Sequence, residues 1–497
     1  MYYLIILRGE LFWQKRKGLE NMSEQIIPNK CKLKHEANYY EKKSFKWRQR
    51  IGFGISDYAC NLAYLLVNTY LLFYYTDCAM LPAAAVGVMF LLTKIFDGVT
   101  DYAVGVLIDR TNTKLGRNRP WMLFGAPVLA IGMILLFCVP TGWSTVSKLA
   151  WAYATYIIFS FGYTMVNIPM GTIVPTLSSD SVERTKIVTA RTVFSNLGSL
   201  TSAAFVIPMV YFFAGGSDAS NEMLAVGYRN TNIILGIIVI IIMAICVFSI
   251  EEINPPLIVK REKSATSGLL DDLKEVLTYK PFVLMLVMIF FMFWAYYLMY
   301  GAIQYFFTYV VGDVSKMSLA TSIMTITPIF TQLITPFLNQ KYSKRNLMIF
   351  GSAIDLVAVI FIFLLGSNVN VVYAMLFLFG LGMGIRQVVY FSMLADCVDY
   401  GEWKSGRSLA GTQGAVNGFV GKVSSALASA AMSALLVWGN YDATAEVQSA
   451  KALFGIKLGF AGASILSTVI CIIVMLFYDL DKNYQKIKDD LDKKRIA

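Results

Sequence analysis

Apolar residues along this chain gather into runs of about twenty, the length an α-helix needs to cross the hydrocarbon core of a bilayer, and short polar turns separate the runs. Twelve runs lie near 53–75, 86–108, 121–139, 149–174, 187–213, 232–250, 282–310, 319–338, 347–365, 371–394, 411–438 and 453–478. The longest interruption, 251–280, holds Asn254-Pro255-Pro256 and a charged stretch that predicts a short amphipathic surface helix at 269–277. It divides the spans six and six. The expected organisation is a polar, disordered, cytoplasmic extension (1–48), a first six-helix bundle (49–250), a central cytoplasmic loop (251–280), a second six-helix bundle (281–480) and a cytoplasmic tail (481–497). The apolar patch at 2–7 is followed by basic residues and lacks a small-residue cleavage site, which makes it a poor signal peptide; Met22 is an alternative start.

Composition agrees with an all-α polytopic membrane protein: 57% of residues are hydrophobic, 15% are charged, and the mean hydropathy is +0.58. The basic residues are placed asymmetrically. Turns after even-numbered spans carry Lys114, Arg117, Arg119, Arg184, Lys186, Lys260, Lys344, Arg345, Lys404 and Arg407, whereas turns after odd-numbered spans carry only Lys148, Arg229, Lys316 and Lys451. By the positive-inside rule both termini face the cytoplasm of a plasma-membrane protein, and much of the net charge of +11 reports topology, not a nucleic-acid partner. The seven cysteines stand singly without metal spacing, and the one histidine, His35, lies in the polar extension, so neither a His/Cys metal centre nor a histidine proton relay is expected. No Walker motif, catalytic triad or cofactor fingerprint is present; the chain does not read as an enzyme.

The halves echo one another. Asp180-x-x-Glu183-Arg184 follows span four, and Asp399-x-x-Glu402-Trp403-Lys404 follows span ten; the basic turn 109–120 after span two has a shorter counterpart at 340–345 after span eight. Duplication about a long central loop predicts the major facilitator fold, with a site near the midplane between two bundles.

Asp97 and Asp101 sit one helical turn apart inside the second apolar run. Two ionised carboxylates at that depth cost several kcal/mol, so a chain that keeps them on one helix face uses them to hold something positive. The alternative is a static core in which they pair with Lys94 and with Lys422, itself in the middle of span eleven. Lys422 is either a counter-charge that yields to a cation or a lysine snorkelling to the interface.

Four ordered motifs carry a family resemblance. They are Lys94-Ile-Phe-Asp97-Gly-Val-Thr100-Asp101, Gly116-Arg-Asn-Arg-Pro-Trp121, Tyr163-Thr164-Met-Val-Asn167-Ile-Pro169, and Ala395-Asp396-Cys-Val-Asp399-Tyr-Gly401-Glu402-Trp-Lys404. Together, over 51–478, they resemble the glycoside-pentoside-hexuronide:cation symporters, of which the melibiose permeases are the best-known members. The resemblance implies a sugar carrier in the membrane lipid driven by Na+ or H+, for which a monomer is sufficient and the oligomeric state is left open, with a small sugar as its partner and no cofactor or metal beyond a coupling Na+. It implies a cation site at Asp97 and Asp101, with Thr100 and Thr164 as neighbouring oxygens and Lys422 as the family's intramembrane lysine. Hard oxygens suit Na+, and a carboxylate in an apolar cleft suits H+ equally. An uncoupled or exchanging carrier for another small solute is the rival, and it would not need the aspartate pair.

The resemblance further implies sugar contacts at Asp57 and Arg191, whose paired oxygens and guanidinium fork fit vicinal hydroxyls. The pattern departs from the melibiose carriers at Asn167, Gly171 and Ser56, which stand in place of a carboxylate, a stacking tryptophan and a basic residue, so galactoside specificity does not carry over. Arg386 in span ten has no charged counterpart there; it meets either a substrate carboxylate, which favours a hexuronide, or Asp355 in span nine. The aromatic seventh span either stacks sugar faces or serves as lipid-facing and packing surface; its more polar face, Tyr297, Tyr300 and Gln304, is the exception to the packing role, with Tyr297 a candidate sugar contact. Arg117, Arg119, Asp180, Glu183, Arg184, Asp396, Asp399, Glu402 and Arg407 are expected to gate, forming charge networks between the bundles when the inner side is closed, with Gly116 and Gly401 supplying turns.

Overall fold

In the computed structural model the described residues are 43–111, 113–140, 142–178, 181–216, 219–252, 269–406, 409–445 and 447–496. The N-terminal extension, the alternative start at Met22, Asp180 and Arg407 lie outside them. The described chain is helical apart from its turns and a single Thr113–Gly116 bridge. The first half comprises α1 (Lys43–Phe73), α2 (Ala83–Arg110), α3 (Arg119–Leu136), α4 (Thr145–Thr172), the short α5 (Val174–Leu177), α6 (Ser181–Ala214) and α7 (Asn221–Ser249). The surface helix expected in the central loop is α8 (Leu269–Val276). The second half comprises α9 (Lys280–Tyr305), α10 (Met317–Lys341), α11 (Lys344–Leu365), α12 (Val369–Ser405), α13 (Ala410–Trp438), α14 (Ala450–Lys457) and α15 (Ala463–Leu476); α16 (Leu480–Ile496) closes the chain. A π-turn, Leu458–Gly462, joins α14 and α15 into one span.

Among the described residues, 10 helices are long and apolar enough to cross a membrane by length and composition. The remaining two expected spans are α1, of 31 residues, and α2, of 28; both are long enough, and they carry Asp57 and Lys94, Asp97 and Asp101 respectively. In α1, polar side chains such as Asp57, Asn61 and Asn68 dilute the apolar signal.

Packing repeats between the halves. In the first half α1 packs on α6 and α7, α3 on α4 and α7, and α2 on α4; in the second, α9 packs on α13 and α15, α11 on α12 and α15, and α10 on α12. The contacts between bundles follow the same two-fold relation, with α2 against α13, α10 against α6, and α1 against α9. The first helix of each bundle also ends in a π-turn at the end of the molecule away from the termini, Tyr74–Cys78 after α1 and Phe306–Val311 after α9. One apolar cluster runs the length of the first bundle, from Phe53 and Ile250 to Tyr74 and Phe137, and into the far half of the second at Met299, Phe306 and Phe460. The near half of the second bundle has a separate core built on Phe282, Met348, Tyr390 and Met475.

Two local expectations are corrected. Asp396, Asp399 and Glu402 lie on α12 and not in a turn after it, because nothing between Ala395 and Ser405 breaks the helix. It ends at Gly406, whose φ of 73° lets its N–H cap the Glu402 carbonyl at 2.9 Å. Gly401 therefore supplies no turn: it is buried inside the helix, where a Cβ would come 2.6 Å from Gln413 Nε2. Gly116, at φ 99°, does turn the chain, and Glu252 then caps the start of α3 by accepting from the N–H groups of Asn118 (2.8 Å) and Arg119 (3.2 Å).

Candidate functional site

A cavity of about 380 Å³ lies between the bundles, and Lys94, Asp97, Asp101, Thr164 and Lys422 line it. α2 and α4 run parallel, so residues spaced i, i+4 on one face each other at the same spacing: Ser160 donates to Asp97, and Thr164 donates to Asp101 Oδ1 at 2.8 Å. Each carboxylate thus has one hydroxyl from α4. Each also has one ammonium. Lys94 Nζ lies 3.4 Å from Asp97 Oδ2, and Lys422, reaching over from α13, pairs with Asp101.

The two pairs differ in their access to water. Asp97 is 8% exposed, whereas the side chains of Asp101 and Lys422 are 28% and 44% exposed. Lys422 is therefore a half-exposed link between bundles, and Asp97 is the deeper carboxylate. Ser160 was missed from sequence; its signal was the Ser160-x-x-x-Thr164 spacing that matches Asp97-x-x-x-Asp101. Thr100 is not brought to the cavity wall: it is buried, and its hydroxyl donates to the Asp97 backbone carbonyl at 3.0 Å.

Asp57 and Arg191 meet as an ion pair, with Arg191 Nε 3.2 Å from Asp57 Oδ2. They stand one turn from Asn61 and Ser195, which line a second cavity of about 260 Å³. Asn167 lines the first cavity, and Tyr297 lines both. Tyr64 donates to the Tyr297 hydroxyl at 3.0 Å, joining α1 to α9 between the two compartments.

Of the two partners expected for Arg386, the structure shows Asp355. The arginine is buried against Asp355, with side chains 5% and 0% exposed, and it lines neither compartment; its neighbour Gln387 lines the second. The geometry describes the Asp355 partner and not a receptor for a substrate carboxylate.

Among the described residues, Glu183, Arg119, Asp396 and Asp399 make contacts within their own bundles. Glu183 takes a two-pronged ion pair from Arg50, Nε and Nη2 both at 2.6 Å, and this hydrogen-bonded cation holds its carboxyl below the usual carboxylate range. Arg119 donates to the Val247 carbonyl at 2.6 and 2.8 Å, and Arg117 to that of Ile108 at 3.1 Å. In the second bundle Lys344 pairs with Asp396 at 2.5 Å, and Tyr484 of α16 donates to Asp399 at 2.6 Å. The Glu402 backbone carbonyl caps the helix end. The side chain of Arg184 is not among those described.

Links across the bundles concentrate at the far end instead. Asp77, buried in the π-turn after α1, accepts from Tyr309 in the π-turn after α9 (2.7 Å) and from Tyr441 beyond α13. Thr76 bonds Tyr305 at 2.6 Å. These links tie the two bundles together at the far end. Sequence reasoning passed over Asp77, whose signal was a lone carboxylate in Tyr74-Tyr-Thr-Asp77 at the end of an apolar run.

Comparison with known proteins agrees with this architecture. The family described as "MFS/sugar transport protein" matches residues 52–482. The isoprimeverose transporter of Lactiplantibacillus pentosus is 32% identical over 92% of this chain and 94% of its own. The chain belongs to the MFS/sugar transport protein family. Its members are membrane transporters, not enzymes, and the resemblance to glycoside:cation symporters holds across both halves. The glucuronide carrier protein homolog of Escherichia coli is 26% identical over 91% of this chain and 97% of its own. Among solved structures, an inward-facing bacterial Spinster homologue superposes with a TM-score of 0.66 over 90% of this chain and 99% of its own, at 13% identity, which speaks for the fold alone.

Proposed function

We propose that this protein carries a neutral glycoside across the plasma membrane, both termini cytoplasmic, in symport with Na+ or H+ by alternating access. The observation that carries the reading is the pair of cavity carboxylates, Asp97 and Asp101, each with an α4 hydroxyl and a lysine. Two carboxylates and two ammoniums sum to no charge, so a cation entering this site displaces a lysine or leaves the cavity positive. Displacing Lys422 releases a link between the bundles, which couples cation occupancy to their relative position. Thr100 stands behind Asp97 as support.

Asp57 and Arg191 offer the sugar a carboxylate and a guanidinium, each able to exchange its partner for paired hydroxyls. Commitment of Arg386 to Asp355 favours a neutral glycoside over a uronide, in line with the isoprimeverose transporter among its relatives. Opening at the terminal face would rearrange the Arg50–Glu183 and Lys344–Asp396 pairs, and the charges at Arg117, Arg119, Asp180, Arg184, Asp399, Glu402 and Arg407 are the material for the inner gate.

Proteoliposome uptake tests the reading. Isoprimeverose should accumulate above equilibrium under an inward Na+ or H+ gradient and only equilibrate without one. Equal accumulation under both conditions would contradict symport.

A further inference from the structure

A cavity of about 420 Å³ lies at the terminal end of the second bundle, apart from the compartments between the bundles, where the start of α9, the ends of α12 and α15 and the first turns of α16 meet. Its wall has two chemistries. Lys280 and Lys486 line one side, and among the described residues neither is in an ion pair. Asp479, the acid in the wall, is already matched by Lys482 at 3.6 Å and Arg345 at 3.8 Å. Asp490 of α16 accepts from Trp403 Nε1 at 3.4 Å. The cavity therefore keeps an excess of positive charge. Leu284 and Phe477 form the apolar side, beside the Tyr400–Trp403 ring pair with centroids 6.1 Å apart. Phe477 is exposed, as are Ile473 and Leu476 on α15, and exposed apolar side chains on a membrane span face lipid.

We propose that this cavity binds one anionic phospholipid, with its phosphodiester between Lys280 and Lys486 and an acyl chain along Leu284 and Phe477. The site is independent of which sugar or cation the protein carries. Phosphate oxygens take charge-assisted hydrogen bonds from two ammonium groups, and the Asn483 amide in the same wall adds an uncharged donor. Tyrosine and tryptophan rings belong at headgroup depth, and a basic pocket between spans there suits an anionic lipid over a zwitterionic one. A soluble anion would use the lysines and leave the apolar side wet; a phospholipid satisfies both. Its effect is to brace α16. That helix buries Ile487 and Leu491 in the core of the second bundle and holds Asp399 through Tyr484, and a lipid held by Lys280 and Lys486 ties it to α9 as well.

Native mass spectrometry of the full chain in detergent, mixed with equimolar dioleoyl phosphatidylglycerol and dioleoyl phosphatidylcholine, provides the test. The wild type should retain a single phosphatidylglycerol in preference to phosphatidylcholine. Lys280→Gln combined with Lys486→Gln should lower phosphatidylglycerol affinity roughly twenty-fivefold, each near-surface lysine being worth about a factor of five. Lys274→Gln combined with Lys488→Gln removes the same charge from exposed positions outside the cavity and should change it less than about twofold. Helical circular dichroism reports folding, and if the first pair loses it, Lys486→Gln alone carries the test with a loss of roughly fivefold. Equal retention of the two lipids by the wild type, or an equal loss in both variant pairs, overturns the site and reduces it to diffuse surface attraction. Full displacement of the lipid by millimolar sn-glycerol 3-phosphate would overturn it in favour of a soluble anion.

Discussion

Replacing Lys422 with methionine keeps an unbranched side chain one atom shorter and removes its charge, which isolates the competition at Asp101. The pair is half-exposed, 28% for the carboxylate and 44% for the lysine. Unit charges about 4 Å apart attract by about 1 kcal/mol in bulk water and about 4 kcal/mol at the effective dielectric of a protein surface, and screening at this exposure places the pair in the lower part of that window. About 1 to 1.4 kcal/mol that the coupling cation must overcome in the wild type is then absent from the variant. The half-saturating cation concentration should fall roughly fivefold to tenfold, since each 1.4 kcal/mol is a factor of ten. Titration of cation-induced thermal stabilisation in nanodiscs without sugar reads this directly. Accumulation of sugar should weaken in the same variant, because the bundles lose the link that reports occupancy. An unchanged or weakened cation affinity would refute the idea that lysine and cation share one carboxylate.

Other consequences are independent of that pair. Arg386→Leu leaves the Asp355 carboxylate buried without its cation and should cost about 3–5 kcal/mol in denaturant unfolding, while the double variant with Asp355→Leu should recover most of it; a double variant as unstable as the single would contradict a closed pair. Arg191→Ala should abolish sugar binding and leave the cation titration measurable; losing both together would mean that the Asp57 pair is scaffold. Tyr309→Phe with Tyr441→Phe removes two donors to Asp77, worth about 1.5–3 kcal/mol each for a charged acceptor, and should widen the far end. Spin labels at Met80 and Asn440 should then show a longer distance population, and an unaltered distribution would count against a latch there. Arg50 lowers the Glu183 carboxyl in the folded chain, so the stability it confers is present above the unfolded pKa of about 4.3 and is lost as pH falls through the lower folded value. Thermal stability of Glu183→Gln should accordingly fall less than that of the wild type between about pH 5 and 3, and parallel curves would remove the pair from the account.

Positions of the spans were legible because a bilayer demands about twenty apolar residues per crossing, and the repeat between halves was visible in the paired acidic motifs. The extent of α12 was not: glycine and three acids in 395–405 look like a turn, yet neighbouring helices absorb them, Asp396 on Lys344, Asp399 on Tyr484, and Gly401 against Gln413. The aspartate pair announced itself because charge at membrane depth is costly. Ser160 and Asp77 did not, because a serine in an apolar helix ordinarily bonds its own backbone and a carboxylate near a helix end can reach water. Arg386 could be weighed only in three dimensions, since its partner Asp355 lies on another helix. The partition of the cavity into charged and uncharged halves depends on eight helices at once and has no linear trace.

Charge movement evoked by sugar tests the central claim most directly. On a solid-supported membrane, an isoprimeverose jump should carry a cation current into proteoliposomes of the wild type, and Asp97→Asn should bind the sugar without that current. A current of undiminished size in the variant would contradict cation coupling through Asp97.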